Sequence, residues 1–155
     1  MKRNIIAAVF LMLAAFVYFA NKSEEPQPQI AVQTEVQKPI GRIGEGYFNF
    51  DIADSPAERS QGLSGWEMLK NTEAMLFVFD TPGEHCFWMK DMKFSIDILW
   101  FDTGKKLIYE KRGVSPATYP ESFCSSKPAK YVVEVTAGVS ADNQIKLGDK
   151  LDIEL

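Results

Sequence analysis

Histidine occurs once in this chain, at His85, and cysteine twice, at Cys86 and Cys124. That is too few for a zinc site of the usual thiolate and imidazole kind, so no metal is expected. A single imidazole also denies any serine a second histidine for an acyl-transfer triad. His85 and Cys86 are neighbours, and on a strand neighbouring side chains point to opposite faces, so they do not read as a catalytic dyad. His85 is expected to be structural or merely exposed. No glycine-rich phosphate loop and no dinucleotide fingerprint is present, so no cofactor is expected. The excess of basic charge that nucleic acid demands is missing too: the formal net charge is −4, and nucleic acid is not an expected partner.

Long hydrophobic runs are missing from most of the chain but not from its start. Lys2 and Arg3 precede an uncharged apolar run from Ile5 to Ala20. Two readings compete, a cleaved signal peptide and an uncleaved anchor in the cytoplasmic membrane through residues 5–20. The small-x-small cleavage pattern is poor, because Tyr18 lies two residues before Ala20. The anchor is the preferred reading of residues 1–22. The basic flank then keeps the N-terminus inside and exports the rest, which is secreted instead if the segment is cleaved. Residues 23–44, with Pro26, Pro28 and Pro39 among glutamines, read as a disordered tether. The folded domain is expected over 45–155.

What that domain has is short alternating runs separated by turn residues. Phe48, Phe50 and Ile52 alternate with Tyr47, Asn49 and Asp51, the period of a half-buried strand. Ser55-Pro56-Ala57-Glu58 carries an N-cap, a proline at the first helical position and a capping-box glutamate, and Gly62 soon ends the helix. Met75–Phe79 reads as a strand closed by a turn at Asp80-Thr81-Pro82-Gly83. The stretch from Cys86 to Asp102 is the richest in aromatic and aliphatic residues. It reads as two strands broken near Lys90-Asp91, the second half-buried. Asp97 there falls on the face opposite Ile96 and Ile98, with Leu99 and Phe101. Lys106–Tyr109 and Tyr131–Val135 follow as strands, with a long surface loop over 113–128 between them. One helical turn is expected within 140–144 and a last strand over 151–155. These elements describe a mostly β single domain, a sandwich or barrel, with one short helix near 55–62.

Export favours a disulfide between Cys86 and Cys124 over two free thiols. Four polar residues sit inside the strongest structural segments: Arg59, Lys90, Asp97 and Glu134. Together they form either a ligand or catalytic cluster, with Arg59 as an anion clamp and the carboxylates as acid and base, or an ion-pair network that sets strand register. Trp66, Trp88, Trp100, Phe87, Tyr109 and Tyr119 read as core, with a sugar-stacking surface as the alternative.

The sequence resembles the DUF192 (UPF0127) family of small, often exported bacterial and archaeal proteins. The resemblance rests on Glu58-Arg59-Ser60-Gln61-Gly62-Leu63, Met75–Phe79, Phe87-Trp88-Met89-Lys90, Asp97-Ile98, Asp102-x-Gly104, Tyr131–Glu134 with Gly138, and Gly148-Asp149. It implies a compact, mostly β fold and names no activity. The expected function is that of a membrane-tethered, non-catalytic binding module for a glycan or another envelope component. An envelope enzyme using the Arg, Lys, Asp and Glu cluster, and a structural or assembly partner, are the alternatives.

Overall fold

The computed structural model describes residues 37–155. The anchor reading of residues 1–22, and the tether reading as far as residue 36, lie outside them. Among the described residues no helix is long and apolar enough to cross a membrane.

Alternating side chains drive nearly everything that follows. The chain forms strands β1 (Ile40–Ile43), β2 (Gly46–Ala53) and β3 (Glu73–Gly83), with helix α1 (Pro56–Gln61) between β2 and β3. Strands β4 (Cys86–Trp88), β5 (Ile96–Phe101) and β6 (Leu107–Val114) come next, then β7 (Ser122–Cys124) and β8 (Ala129–Thr136). Helix α2 (Val139–Asp142) and strand β9 (Leu151–Asp152) complete the set. Seven strands form one sheet in the order β6-β5-β8-β3-β2-β1-β9, and β4 pairs with β7 as a separate ribbon. The domain is mostly β, a sheet curled into a half-barrel with two short helices.

The pair β2–β3 is parallel, and its neighbours in the sheet are antiparallel. A parallel pair requires a crossover, and the segment carrying α1 supplies it. At the far ends the two edges of the sheet meet. The amide of Leu107 donates to the carbonyl of Asp149 (2.8 Å), Gly148 to Leu107 (2.9 Å) and Leu151 to Lys105 (2.9 Å). Edge groups that would otherwise stay open are thereby paired.

Both faces of the sheet are packed. Phe48, Phe50, Ala74, Leu76, Leu99, Phe101, Val133 and Val135 fill the concave side. Met75, Phe77, Ile96, Ile98, Trp100 and Val132 point outward, beneath Leu63, Leu69 and Met89. Strand β5 is therefore buried along its whole length rather than half-buried.

Three further expectations change. Strand β1 falls in the stretch read as tether, and Ile43 is fully buried, so the folded part begins before residue 45. Proline and glutamine nearby hide an alternation only four residues long. The expected turn at 80–83 is the end of an eleven-residue β3, irregularly paired with β8 between Val78 and Gly83. Pro82, which has no amide to donate, is tolerated at such an irregularity. The loop over 113–128 contains a turn of 3₁₀ helix at Pro116–Thr118 and strand β7.

Candidate functional site

Helix α1 forms as its local sequence dictates. Ser55 Oγ accepts from the Glu58 amide (3.2 Å), the Ser55 amide donates to Glu58 Oε2 (3.0 Å), and Gly62 at φ 48° closes the helix. This cap sets the direction of Arg59. Its Nη1 donates to the carbonyl of Val78 on β3 (2.9 Å) and to that of Asp54. The guanidinium carbon stands 5.3 Å from the centroid of the Phe79 ring. One side chain thus clips the helix onto the middle of β3.

The second wall is the connection from β3 into β4. Trp100 Nε1 donates to the carbonyl of His85 (2.9 Å), holding that connection over the outer face of the sheet. The His85 ring stacks on Phe79, with centroids 3.4 Å apart and planes 8° apart. Burial, aided by the Arg59 charge, lowers the imidazole's pKa against the opposing pull of the Thr81 carbonyl, so His85 is neutral at pH 7. Phe87 meets Phe77 and Trp100 edge-on, at 4.8 and 5.9 Å. Cys86 and Cys124 sit directly opposite each other on β4 and β7 and are joined as a disulfide, with Cα atoms 4.2 Å apart.

Between these walls lies a cleft of about 380 Å³, lined among others by Arg59, Gln61, Phe77, Phe79, Glu84, His85, Phe87 and Trp88. Glu134 of β8 lies in its floor. The register places Glu134 beside Met75 on β3 and Ile98 on β5, both apolar. Glu134 is 5% exposed, and no side chain among the described residues donates a hydrogen bond to it. Burial pushes its carboxyl up to about 8, because no neighbouring charge or donor favours the ionised form. A cleft of this size, whose walls mix aromatic rings with polar and charged side chains, has room for a small ligand.

Of the four polar residues singled out from the sequence, the cleft gathers two, Arg59 and Glu134. Asp97 lies on the opposite face of the sheet, where its carboxylate is fully engaged. The amides of Gly113 (2.8 Å), Gly138 (3.0 Å) and Ser140 (3.3 Å) donate to it, as does the Ser140 hydroxyl (2.6 Å). Asp97 therefore ties the end of β6 to the start of α2. Lys90 lies beyond Trp88, in a neighbouring depression with Ser64, Gly65 and Asp91, its Nζ 6.0 Å from the Trp88 ring centroid. The four do not converge. The aromatics divide as well: Trp100 is fully buried, whereas Trp88 and Tyr119 are 52% and 47% exposed and meet edge-on at 5.8 Å.

Sequence reasoning did not place Phe79, Glu84 or His85 in the cleft. Phe79 and His85 are separated by the irregular end of β3, so no spacing rule brings their rings together. Glu84, Cys86 and Cys124 lie within 4.8 Å of one another, but the two sulfurs are bonded to each other and offer no thiolates to a metal.

A small β half-barrel with a ligand-sized cleft on its outer face is the class that fold and site define. The model of the DUF192 family, described as uncharacterized ACR, matches residues 40–153, and the chain belongs to that family. No curated protein matches the chain. Two solved structures share the fold. One is a protein of unknown function from Novosphingobium aromaticivorans DSM 12444, 24% identical, with a TM-score of 0.69 over 74% of this chain and 83% of that one. The other, from Sinorhizobium meliloti 1021, is described as a candidate transcription regulator. It is 22% identical, with a TM-score of 0.71 over 74% of this chain and 92% of that one.

Proposed function

We propose that the protein is an extracytoplasmic binding module, held at the cytoplasmic membrane through residues 5–20, whose cleft takes a glycan or a similar hydroxyl-rich envelope component. The observation that carries this reading is Glu134, an acid in the floor of an open cleft to which no side chain among the described residues donates a hydrogen bond. No fully buried side-chain nitrogen or oxygen among the described residues is left without a hydrogen-bond partner, so the unbonded Glu134 carboxyl opens onto the cleft, where a ligand can meet it. A neutral carboxyl both donates and accepts, as sugar hydroxyls require. The half-exposed Trp88 offers a ring face for stacking.

The separation of Asp97 and Lys90 from the cleft takes away two of the four residues on which the enzyme alternative was built. Membrane attachment is supported by the apolar run behind Lys2 and Arg3.

The test is a binding screen of the full-length chain in detergent against a panel of neutral, acidic and amino-bearing oligosaccharides. Saturable binding is expected, weakened about tenfold by Trp88→Ala, the cost of losing one stacked ring. Absence of saturable binding across the panel, or binding indifferent to both Trp88→Ala and Glu134→Gln, would overturn the reading. Protease accessibility of the domain in intact spheroplasts tests its placement outside the membrane.

A further inference from the structure

The cleft holds one permanent cation, and that cation does not serve Glu134. Arg59 is engaged by the carbonyls of Asp54 and Val78 and by the face of Phe79. Among the described residues no salt bridge joins Arg59 to Glu134. The titratable groups that face Glu134 can be counted element by element. Helix α1 contributes Arg59, and the connection after β3 contributes Glu84 and His85. Strand β3 presents Met75 and Phe77, β5 presents Ile98, and β4 presents the disulfide sulfur of Cys86 with Phe87 and Trp88. Among the described residues no lysine lines the cleft.

If Glu134 ionises, the lining carries two carboxylates, Glu84 and Glu134, against the one guanidinium of Arg59, whose bonds to neutral carbonyls leave its charge in place, for a net charge of −1. Of the rings around the same space, Phe79 is already covered by the His85 ring and the Arg59 guanidinium and Phe77 is 1% exposed, which leaves Phe87 and Trp88 to meet a ligand. Aromatic walls with a carboxylate at the base attract a cation, through the negative ring faces and through the ion pair together. A hydroxyl would satisfy the neutral acid but would make no use of this surplus of negative potential.

We propose that the ligand of this cleft presents a protonated primary amine to Glu134, so that the site selects amino sugars over their N-acetylated counterparts. The proposal rests on the reading of the cleft as a glycan site and adds the chemical class. On binding, the O–H bond of the Glu134 carboxyl breaks, its proton passes to the buffer, and the carboxylate formed pairs with the incoming ammonium. A raised carboxyl pKa, about 8 in the free protein, means that this proton is still in place before the ligand arrives.

The experiment is calorimetric titration of the full-length chain in detergent at about pH 5.5, where the glucosamine amines already carry their protons, in two buffers of different ionisation enthalpy, so that proton release is read directly. The probes are the glucosamine tetramer and the N-acetylglucosamine tetramer. The expected result is roughly tenfold or tighter binding of the glucosamine tetramer, as a desolvated cation over aromatic rings would give, with release approaching one proton per site. Glu134→Gln is expected to abolish both the preference and the release, and Glu84→Gln to leave the release intact. Equal or tighter binding of the N-acetylated tetramer overturns the amine assignment. So does a preference that survives Glu134→Gln. If the N-acetylated tetramer binds through Trp88 without proton release, the glycan reading stands and the amine inference falls. If neither tetramer binds, both fall.

Discussion

Arg59 and Glu134 line the same cleft without pairing: the guanidinium is bound to the carbonyls of Asp54 and Val78, and no side chain among the described residues donates to the carboxyl. In most interiors two such groups would form an ion pair. Here Arg59 works as a clip between α1 and β3, and Glu134 is left as an acid whose ionised form the fold disfavours.

That has a consequence for stability. The Glu134 pKa rises from 4.5 to about 8 on folding. Between those values the folded state holds a proton that the unfolded state has lost, so this contribution is fully present below about pH 4.5 and is lost as pH rises through 8. The slope is at most about 1.4 kcal/mol per pH unit. Thermal melts of the wild type are expected to show a midpoint that falls between pH 5 and 8 relative to Glu134→Gln, which lacks the titration. Parallel pH profiles for the two proteins would contradict the assignment.

Asp97 is the opposite case, a buried carboxylate with four donors. Asp97→Ala orphans the amides of Gly113, Gly138 and Ser140 and removes the partner of the Ser140 hydroxyl. A loss of about 3 kcal/mol or more is expected from urea unfolding. Ligand binding by the fraction that remains folded should be unchanged, because Asp97 lies on the far face of the sheet. Loss of binding by that folded fraction would move Asp97 back into the site.

The Cys86–Cys124 disulfide fastens the ribbon that forms one wall of the cleft. With the two cysteines 38 positions apart in sequence, its removal is expected to cost about 4 kcal/mol in the chain-entropy model. The double variant Cys86→Ser, Cys124→Ser should therefore melt well below the wild type under oxidising conditions. Equal melting temperatures would show that the ribbon is held by its packing alone.

What could be read in advance followed distance along the chain. Ser55 and Glu58 are three residues apart, and the helix they cap starts and stops where their spacing implies. The face of Asp97 follows from parity along β5 alone. The partners of that face do not, because Gly113, Gly138 and Ser140 arrive from two distant segments. Glu134 is legible as a strand residue, but its place in the cleft depends on the pairing of β8 with both β3 and β5, which parity cannot supply. Strand β1 was hidden for a related reason: its four residues gain their partners, β2 and β9, from both sides, and β9 comes from the opposite end of the domain. Pairings set by closure of the sheet leave little local signal.

The central claim is that Glu134 is an unpartnered acid in the floor of a cleft, and the most direct measurement of it is a carboxyl ¹³C NMR titration of the glutamate side chains, with Glu134→Gln to assign the resonance. The account predicts a Glu134 carbon that titrates near 8 and that shifts when a cationic sugar is added. A Glu134 resonance that titrates near 4.5, insensitive to added sugar, would contradict it.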